Sequence, residues 1–225
     1  MQHILGLVRR CVEDYHMIEA GETVAVGVSG GKDSLTLLCT LHGLARFYPK
    51  HFTVVPINLR MGFPGEDDTP IRSLCESLGL ELKSFESDIY SVVFDIRAEK
   101  HPCSLCANMR RGALHEAAKA AGCNKVALGH HFDDVVETYM LSLFYEGRIS
   151  CFQPVTYLDR SGITQIRPLL YCHEDEVRRA AAKLQLPVVQ NPCPANGSTR
   201  RQEVKELLLR LEERYPNLRQ KIFGA

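Results

Sequence analysis

Apolar residues along this chain recur in two rhythms that take turns. Short β-branched or alternating runs read as strands: Val24-Ala25-Val26-Gly27-Val28, the FTVVPI stretch within residues 51–57, residues 80–85, and Val126-Ala127-Leu128. Between them, apolar positions fall at helical spacing. Ile4, Leu5, Val8, Val12 and Tyr15 mark an opening helix over residues 2–18, and Leu35, Leu37, Leu38, Leu41 and Leu44 mark a helix after the first strand. Further helices are predicted over 71–78, 105–121, 134–145, 173–184 and 199–214, the last opened by a capping box of Thr199 and Gln202. Gly62, Pro64, Gly65 and Pro70 make residues 58–70 a loop, and a polar turn at 159–162 precedes a strand near 164–167. This alternation predicts an α/β fold whose mostly parallel sheet is wrapped on both faces. Ligands of such sheets bind outside the carboxyl ends of the strands.

Composition narrows the class. The chain has 225 residues, long enough for a real core, with 45% hydrophobic and 24% charged residues, as in ordinary soluble proteins. Twenty-seven basic residues balance 27 acidic ones, so a nucleic-acid partner must be met by a local patch. No apolar run is long enough for a membrane span, and the polar opening MQHILGLVRR does not read as a signal peptide. Nine scattered cysteines, an odd number, argue for reduced thiols and a cytoplasmic location.

The densest chemistry lies between the first strand and its helix, at Ser29-Gly30-Gly31-Lys32-Asp33-Ser34. Two glycines let the backbone approach an oxyanion, and the amides of the next helix point at it. Lys32 adds charge, the serines add donors, and Asp33 can hold a magnesium ion that bridges phosphates. A P-loop is excluded because Asp33 follows Lys32 and Val26 fills the earlier glycine slot; the dinucleotide fingerprint fails at Ser29. The string resembles the PP-loop of the ATP pyrophosphatase superfamily. That resemblance implies a Rossmann-like doubly wound sheet, cleavage of ATP between its α and β phosphates, and AMP transfer to a substrate oxygen.

Two further clusters stand out. Gly129-His130-His131-Phe132-Asp133-Asp134, with Glu137 and Thr138, follows a strand and so lies at the same sheet edge. One aspartate there is accounted for as a helix cap; a second near bound ATP can complete a magnesium shell or steer a proton. Cys103-Ser104-Leu105-Cys106 and the distant Cys193 form the other. One CxxC can be a redox pair, half a zinc site with His101 or Cys172 as further ligand, or chance. Three thiolates without a fourth suit an iron–sulfur cluster with one iron open. Cys11, Cys39, Cys75 and Cys123 read as core; Cys151 and Cys172 are left undecided.

The string CSLCANMRRGALHEAAKAAGCNKVALGHHFDDVVETYMLSLFYEG, following VSGGKDS, resembles the tRNA 2-thiocytidine synthetase family; IRPLLYCHEDEV and STRRQEVKELL extend the likeness. The resemblance implies a single PP-loop ATPase domain over residues 1–225 that adenylates the C2 oxygen of a tRNA cytidine. It also implies a 4Fe–4S cluster that delivers sulfur. It carries iron ligation to Cys103, Cys106 and Cys193, and magnesium to Asp33 and Asp133. ATP falls to Ser29, Gly30, Gly31, Lys32, Asp33, Ser34, Gly129 and His130, and catalysis to Asp33, Asp133 and Arg111. Arg110 and Arg111 match a basic pair of the family, while Gln190 stands where it commonly has a further cysteine. Expected partners are tRNA, met by a patch from Arg9-Arg10, Arg110-Arg111, Arg178-Arg179 and Arg200-Arg201, and a sulfur donor such as a cysteine desulfurase or sulfide. A homodimer is left open. Rival readings are adenylation with a nitrogen nucleophile, sulfuration of a small molecule, and an ATP-sensing or zinc-stabilised binding module.

Overall fold

A computed structural model describes residues 1–97, 102–189, 192–193 and 200–225. In chain order it runs α1 (Gln2–Asp14), β1 (Thr23–Gly27), α2 (Lys32–Ala45), β2 (Thr53–Arg60), α3 (Thr69–Ser77) and β3 (Lys83–Glu86). A π-helical turn (Ser91–Ile96) leads to α4 (Pro102–Ala120), β4 (Lys125–Ala127), α5 (Phe132–Leu141) and a second π-helical turn (Ser142–Glu146). The chain continues with β5 (Val155–Leu158), β6 (Ile163–Ile166), α6 (Glu174–Lys183), α7 (Arg200–Arg214) and α8 (Leu218–Phe223).

The strands form one sheet in the order β3-β2-β1-β4-β6-β5. All neighbours pair parallel except β5, which returns antiparallel on β6. The mostly parallel sheet predicted from the alternation is therefore present. The order runs outward from β1 in one direction and from β4 in the other, so the β1/β4 boundary is the switch point at which such sheets open a crevice.

Helix α2 is the centre of the core. Leu35, Leu37, Leu38, Leu41 and Leu44 are completely buried, and so are Thr36 and Thr40, because α1 and α6 cover the flank of α2 that faces away from the sheet. The Thr40 hydroxyl is satisfied by donating to the Thr36 carbonyl at 2.7 Å. Each buried leucine contributes about 1.5–3 kcal/mol. At the start of β4 the buried Lys125 ammonium is held by the Met17 carbonyl at 2.8 Å and Glu22 at 2.5 Å.

Several expected boundaries move for tertiary reasons. The opening helix ends at Asp14, not at 18: His16 turns to positive φ and sends Met17 and Ile18 into the core. Strand β2 continues through Asn58, Leu59 and Arg60 because β3 pairs with them, and that pairing sets β3 at 83–86 in place of 80–85. Strand β5, helix α8 and both π-helical turns were not expected. The Thr199 cap and position 190 lie outside the described residues. Among the described residues no helix is long and apolar enough to cross a membrane.

Since Leu38 is completely buried, Leu38→Ala is expected to lower unfolding stability by about 2–5 kcal/mol in urea denaturation. A loss under ~1 kcal/mol would contradict this placement.

Candidate active site

Strand β1 ends at Gly27, and Val28 is clamped by its neighbour: its N–H donates to Ile57 O at 2.7 Å while Asn58 Nδ2 donates to its carbonyl at 2.7 Å. The chain then reverses through Gly30 at φ +79°, a conformation that favours glycine, and Gly31 caps α2. Ser34 locks this turn from inside. Its hydroxyl donates to Gly31 O at 3.0 Å, accepts from Ser29 N–H at 3.1 Å, and lies 3.2 Å from Ser29 Oγ. Ser34 is thus a clamp of the loop, 7% exposed, and Ser29 N–H is already engaged. What remains at the mouth are the first-turn amides of α2, which a helix leaves without internal partners, and the Lys32 ammonium. That set fits an oxyanion.

Lys32 Nζ lies 3.1 Å from both Asp33 carboxylate oxygens and 3.2 Å from Glu174 Oε1. Burial works against its charge, but Asp33 and then Glu174 more than offset this and raise its pKa. Asp33 Oδ1 is buried and, although the Lys32 ammonium stands 3.1 Å away, accepts no hydrogen bond, leaving an oxygen that a divalent cation can satisfy.

The loop after β4 meets this turn backbone to backbone. A Cβ on Gly129 would stand 3.1 Å from Asp33 C and Ser34 N, so the position admits no side chain without moving the phosphate loop. His131 caps α5 in a capping box with Asp134: His131 N–H donates to Asp134 Oδ2 at 3.0 Å, and Asp134 N–H to His131 Nδ1 at 3.4 Å. His131 Nε2 lies 3.8 Å from Asp33 Oδ1, and its Nδ1 lies 3.9 Å from Asp133 Oδ2.

Asp33 and Asp133, both expected at magnesium, each lie against His131. An imidazole stands between them, and the Asp133 carboxylate is engaged elsewhere. Its Oδ1 receives Arg219 Nη1 of α8 at 2.8 Å, and its Oδ2 receives Glu174 N–H at 2.7 Å. A buried carboxylate needs such partners, and here they come from the start of α6 and from α8, of which the sequence pattern places only α6. Asp134 and Glu137 are bound likewise by Arg201 of α7, at 3.3 and 3.0 Å, and the same arginine donates to Thr138 Oγ1 at 3.1 Å. Arg201, Lys205, Arg219 and Glu174 were missed as site neighbours. The signal of Glu174, Arg201 and Lys205 was confined to the strings IRPLLYCHEDEV and STRRQEVKELL, which show no spacing rule of their own, and Arg219 lies in neither.

His130 lies 4.8 Å from the Phe152 ring with its Nδ1 buried and unbonded. Burial drives its pKa down to about 4, against the pull of Asp134. Across that aromatic ring, 4.8 Å away, sits the buried Arg167 guanidinium, its pKa lowered to about 10 by burial. Arg111 is exposed on α4 and donates to Asn108 Oδ1 at 2.9 Å; its charge reaches Arg167 and His115.

The thiols converge at the same edge. Cys103 and Cys106 open α4, which lays Leu114 against Gly27 at the end of β1. Val189, four residues before Cys193, donates its N–H to Gly30 O at 3.0 Å, and its side chain packs on Gly30. The Cys106 pKa is raised by burial and then by the charges of Cys193 and Cys103, so the three sulfurs share one neighbourhood. Among the described residues no trio of His, Cys, Asp or Glu is gathered tightly enough for a single ion such as zinc, which needs sulfur at about 2.3 Å. Cys172 is excluded as a ligand because it lies in the main core beside Cys11; Cys75 and Cys123 are also buried. His101 lies outside the described residues.

Two outcomes follow from this packing. Gly129→Ala is expected to weaken nucleotide binding about tenfold or more and to cost about 1–3 kcal/mol of stability, read by calorimetric titration and thermal melting. For His130, the folded chain resists a proton that the unfolded chain accepts. Its contribution is complete above pH ~6.5 and is lost as pH falls toward about 4. Unfolding free energies from urea denaturation at pH 7 and 4.5 should therefore differ by on the order of 2 kcal/mol more in the unaltered chain than in His130→Gln.

The PP-loop domain family matches residues 7–212. The tRNA-cytidine(32) 2-sulfurtransferase of Dechloromonas aromatica is 38% identical over all of this chain and 79% of its own length. Its counterpart from Pelobacter propionicus is 38% identical over all of this chain and 84% of its own. Among solved structures, the U34-tRNA thiolase NcsA from Methanococcus maripaludis, determined with its [4Fe-4S] cluster, superposes at a TM-score of 0.82. It has 27% identity and covers 99% of this chain and 76% of that one. The NMN synthetase of Francisella tularensis, at TM-score 0.56 and 16% identity, covers 99% of this chain and 89% of its own and shares the fold. With a phosphate loop, a glycine-tight second loop and converging thiols at one sheet edge, the chain belongs to the PP-loop family and, within it, to the family of the tRNA-cytidine(32) 2-sulfurtransferases.

Proposed function

We propose that this chain is an ATP-dependent tRNA sulfurtransferase of the cytoplasm that replaces the C2 oxygen of a cytidine by sulfur. The observation that carries the reading is the docking of Val189 on Gly30, because it fastens the segment leading to Cys193 onto the phosphate loop. Cleavage of ATP and delivery of sulfur then take place in one crevice.

A pyrimidine carbonyl oxygen is a poor leaving group. Attack by that oxygen on the α-phosphorus breaks the bond to the β-phosphate, releases pyrophosphate and turns the oxygen into part of AMP. A sulfur nucleophile then adds at C2, and AMP departs with the original oxygen. Lys32 and the first-turn amides of α2 stabilise charge on the pyrophosphate as it leaves. Asp33 would hold magnesium through its buried Oδ1, supplying further charge at the phosphates. Cys103, Cys106 and Cys193 would hold the iron–sulfur cluster, which supplies an open iron for sulfur when bound. His131, between Asp33 and Asp133, is placed to keep both carboxylates oriented.

For the RNA, the exposed Arg110 and Arg111 on α4 lie beside the thiols. Arg200, stacked 4.5 Å over Tyr145, adds a cation beside the exposed Phe144. Phosphates and unstacked bases are bound by such combinations. Other members of the expected patch are compensated on their own helices. Arg9 pairs with Glu13 at 2.9 Å and Arg179 with Asp175 at 2.7 Å, so they contribute less. The sulfur donor is a persulfide-bearing desulfurase or free sulfide.

Cys103→Ala, Cys106→Ala and Cys193→Ala are each expected to abolish 2-thiocytidine formation on tRNA while ATP binding stays within about twofold of the unaltered chain. Nucleoside analysis of the tRNA and nucleotide titration measure the two arms. Retained thiolation in all three variants, without bound iron, would remove the cluster from the mechanism. Pyrophosphate release that needs tRNA separates this enzyme from a nucleotide sensor, which releases none.

A further inference from the structure

The Lys32 ammonium is claimed from two sides. Asp33 holds it at 3.1 Å and Glu174 at 3.2 Å. Glu174 is in turn divided, because its other oxygen forms a short contact with Lys205 of α7. The result is a row of alternating charges, Asp33–Lys32–Glu174–Lys205, that joins the phosphate loop to the last long helix. Glu174 is well placed to act on the loop. It is the first residue of α6, where the helix dipole favours a carboxylate, and its own N–H is fixed on Asp133 Oδ2 at 2.7 Å. Its side chain is 22% exposed, so the pairs are only partly screened by solvent. Burial opposes its charge, yet the hydrogen bond from Lys205 and the charge of Lys32 overcome this and hold its pKa at about 2.

We propose that Glu174 is a positioning residue for the phosphate loop: it gives the Lys32 ammonium a second carboxylate to rest on, so that the ammonium can leave Asp33 when a divalent cation binds there. The inference rests on the reading of Asp33 as the magnesium-holding residue. A lysine resting on Asp33 alone would compete with the cation for the same oxygens. With Glu174 3.2 Å away, that lysine has a second place to rest, and Oδ1 of Asp33, which it touches at 3.1 Å without a hydrogen bond, can pass to the cation. Lys205 sets the strength of the pull, since it takes part of the Glu174 charge for itself.

Opposite signs are expected from the two ends of the row. In Glu174→Gln, Lys32 settles on Asp33, and the magnesium concentration for half-maximal nucleotide binding rises about fivefold. In Lys205→Met, Glu174 pulls on Lys32 undivided, and that concentration falls. Asp175→Asn is the control: it removes a charge one residue along α6, from an exposed carboxylate paired with Arg179, and leaves the magnesium dependence unchanged. The probe is the α,β-methylene analogue of ATP, titrated by calorimetry across magnesium concentrations, with melting curves to verify folding. A magnesium dependence in Glu174→Gln equal to that of the unaltered chain or of Asp175→Asn would overturn the proposal. A rise in Lys205→Met alongside Glu174→Gln, the mark of general damage, would overturn it as well. Failure of the unaltered chain to bind the analogue at any magnesium concentration removes the phosphate-loop reading itself, and this proposal with it.

Discussion

The close approach of two backbones at the β1/β4 boundary constrains the rest of the molecule. Gly129 passes so near to Asp33 and Ser34 that even a methyl group would meet main-chain atoms at 3.1 Å. Parallel pairing of Val24, Ala25 and Val26 with Lys125, Val126 and Ala127 brings the two loops to the same height. The burial of α2 then fixes the direction in which its first turn points. Sheet register and core packing are thus what aim the phosphate-binding amides. The chemistry at the mouth depends on apolar residues far from it.

Much of this was legible in the sequence because it is local. A strand, a glycine turn and a leucine-rich helix follow one another within residues 24–44, and each signal is complete inside its own window. The CxxC pair is legible for the same reason. What was not legible is what the third dimension decides. Strand β5 forms because β6 offers it a partner, and β3 begins at Lys83 because β2 sets the register. The partners of Asp133 were hidden for a similar reason. Adjacent aspartates look equivalent in a string, but one helix start turns Asp134 into a capping-box acid and Asp133 into the counter-charge of Arg219, 86 residues away.

Cations of the C-terminal helices close that account. Four carboxylates, Asp133, Asp134, Glu137 and Glu174, stand around the starts of α5 and α6, and they are met by Arg219, Arg201 and Lys205. Left unpaired, buried carboxylates at such density would repel one another and take up protons. Burial does raise the pKa of Glu137, with Arg201 working against it, whereas Lys205 and Lys32 hold Glu174 ionised. An apolar seam reinforces the arrangement. Phe132, Val136 and Met140 of α5 pack on Val204 and Leu208 of α7, and Phe132 stacks on Phe223 of α8 at 4.7 Å. Helices α7 and α8 are therefore part of the floor of the site.

The thiols obey a different logic from the carboxylates. Cys11, Cys75, Cys123 and Cys172 are sealed in the core, where burial pushes their pKa values up and makes them inert. Cys103 is exposed, and Cys106 and Cys193 are half-buried beside it. A chain that used cysteine merely as a small apolar residue would have no reason to bring three of them to one neighbourhood at the rim, where burial raises the Cys106 pKa, Arg110 lowers it, and Cys193 and Cys103 raise it further. Thiolates in one neighbourhood repel one another, and a positive centre offsets that repulsion. The three thiols thus suit the metal centre proposed for them, and the Val189–Gly30 hydrogen bond ties the chain shortly before Cys193 to the phosphate loop.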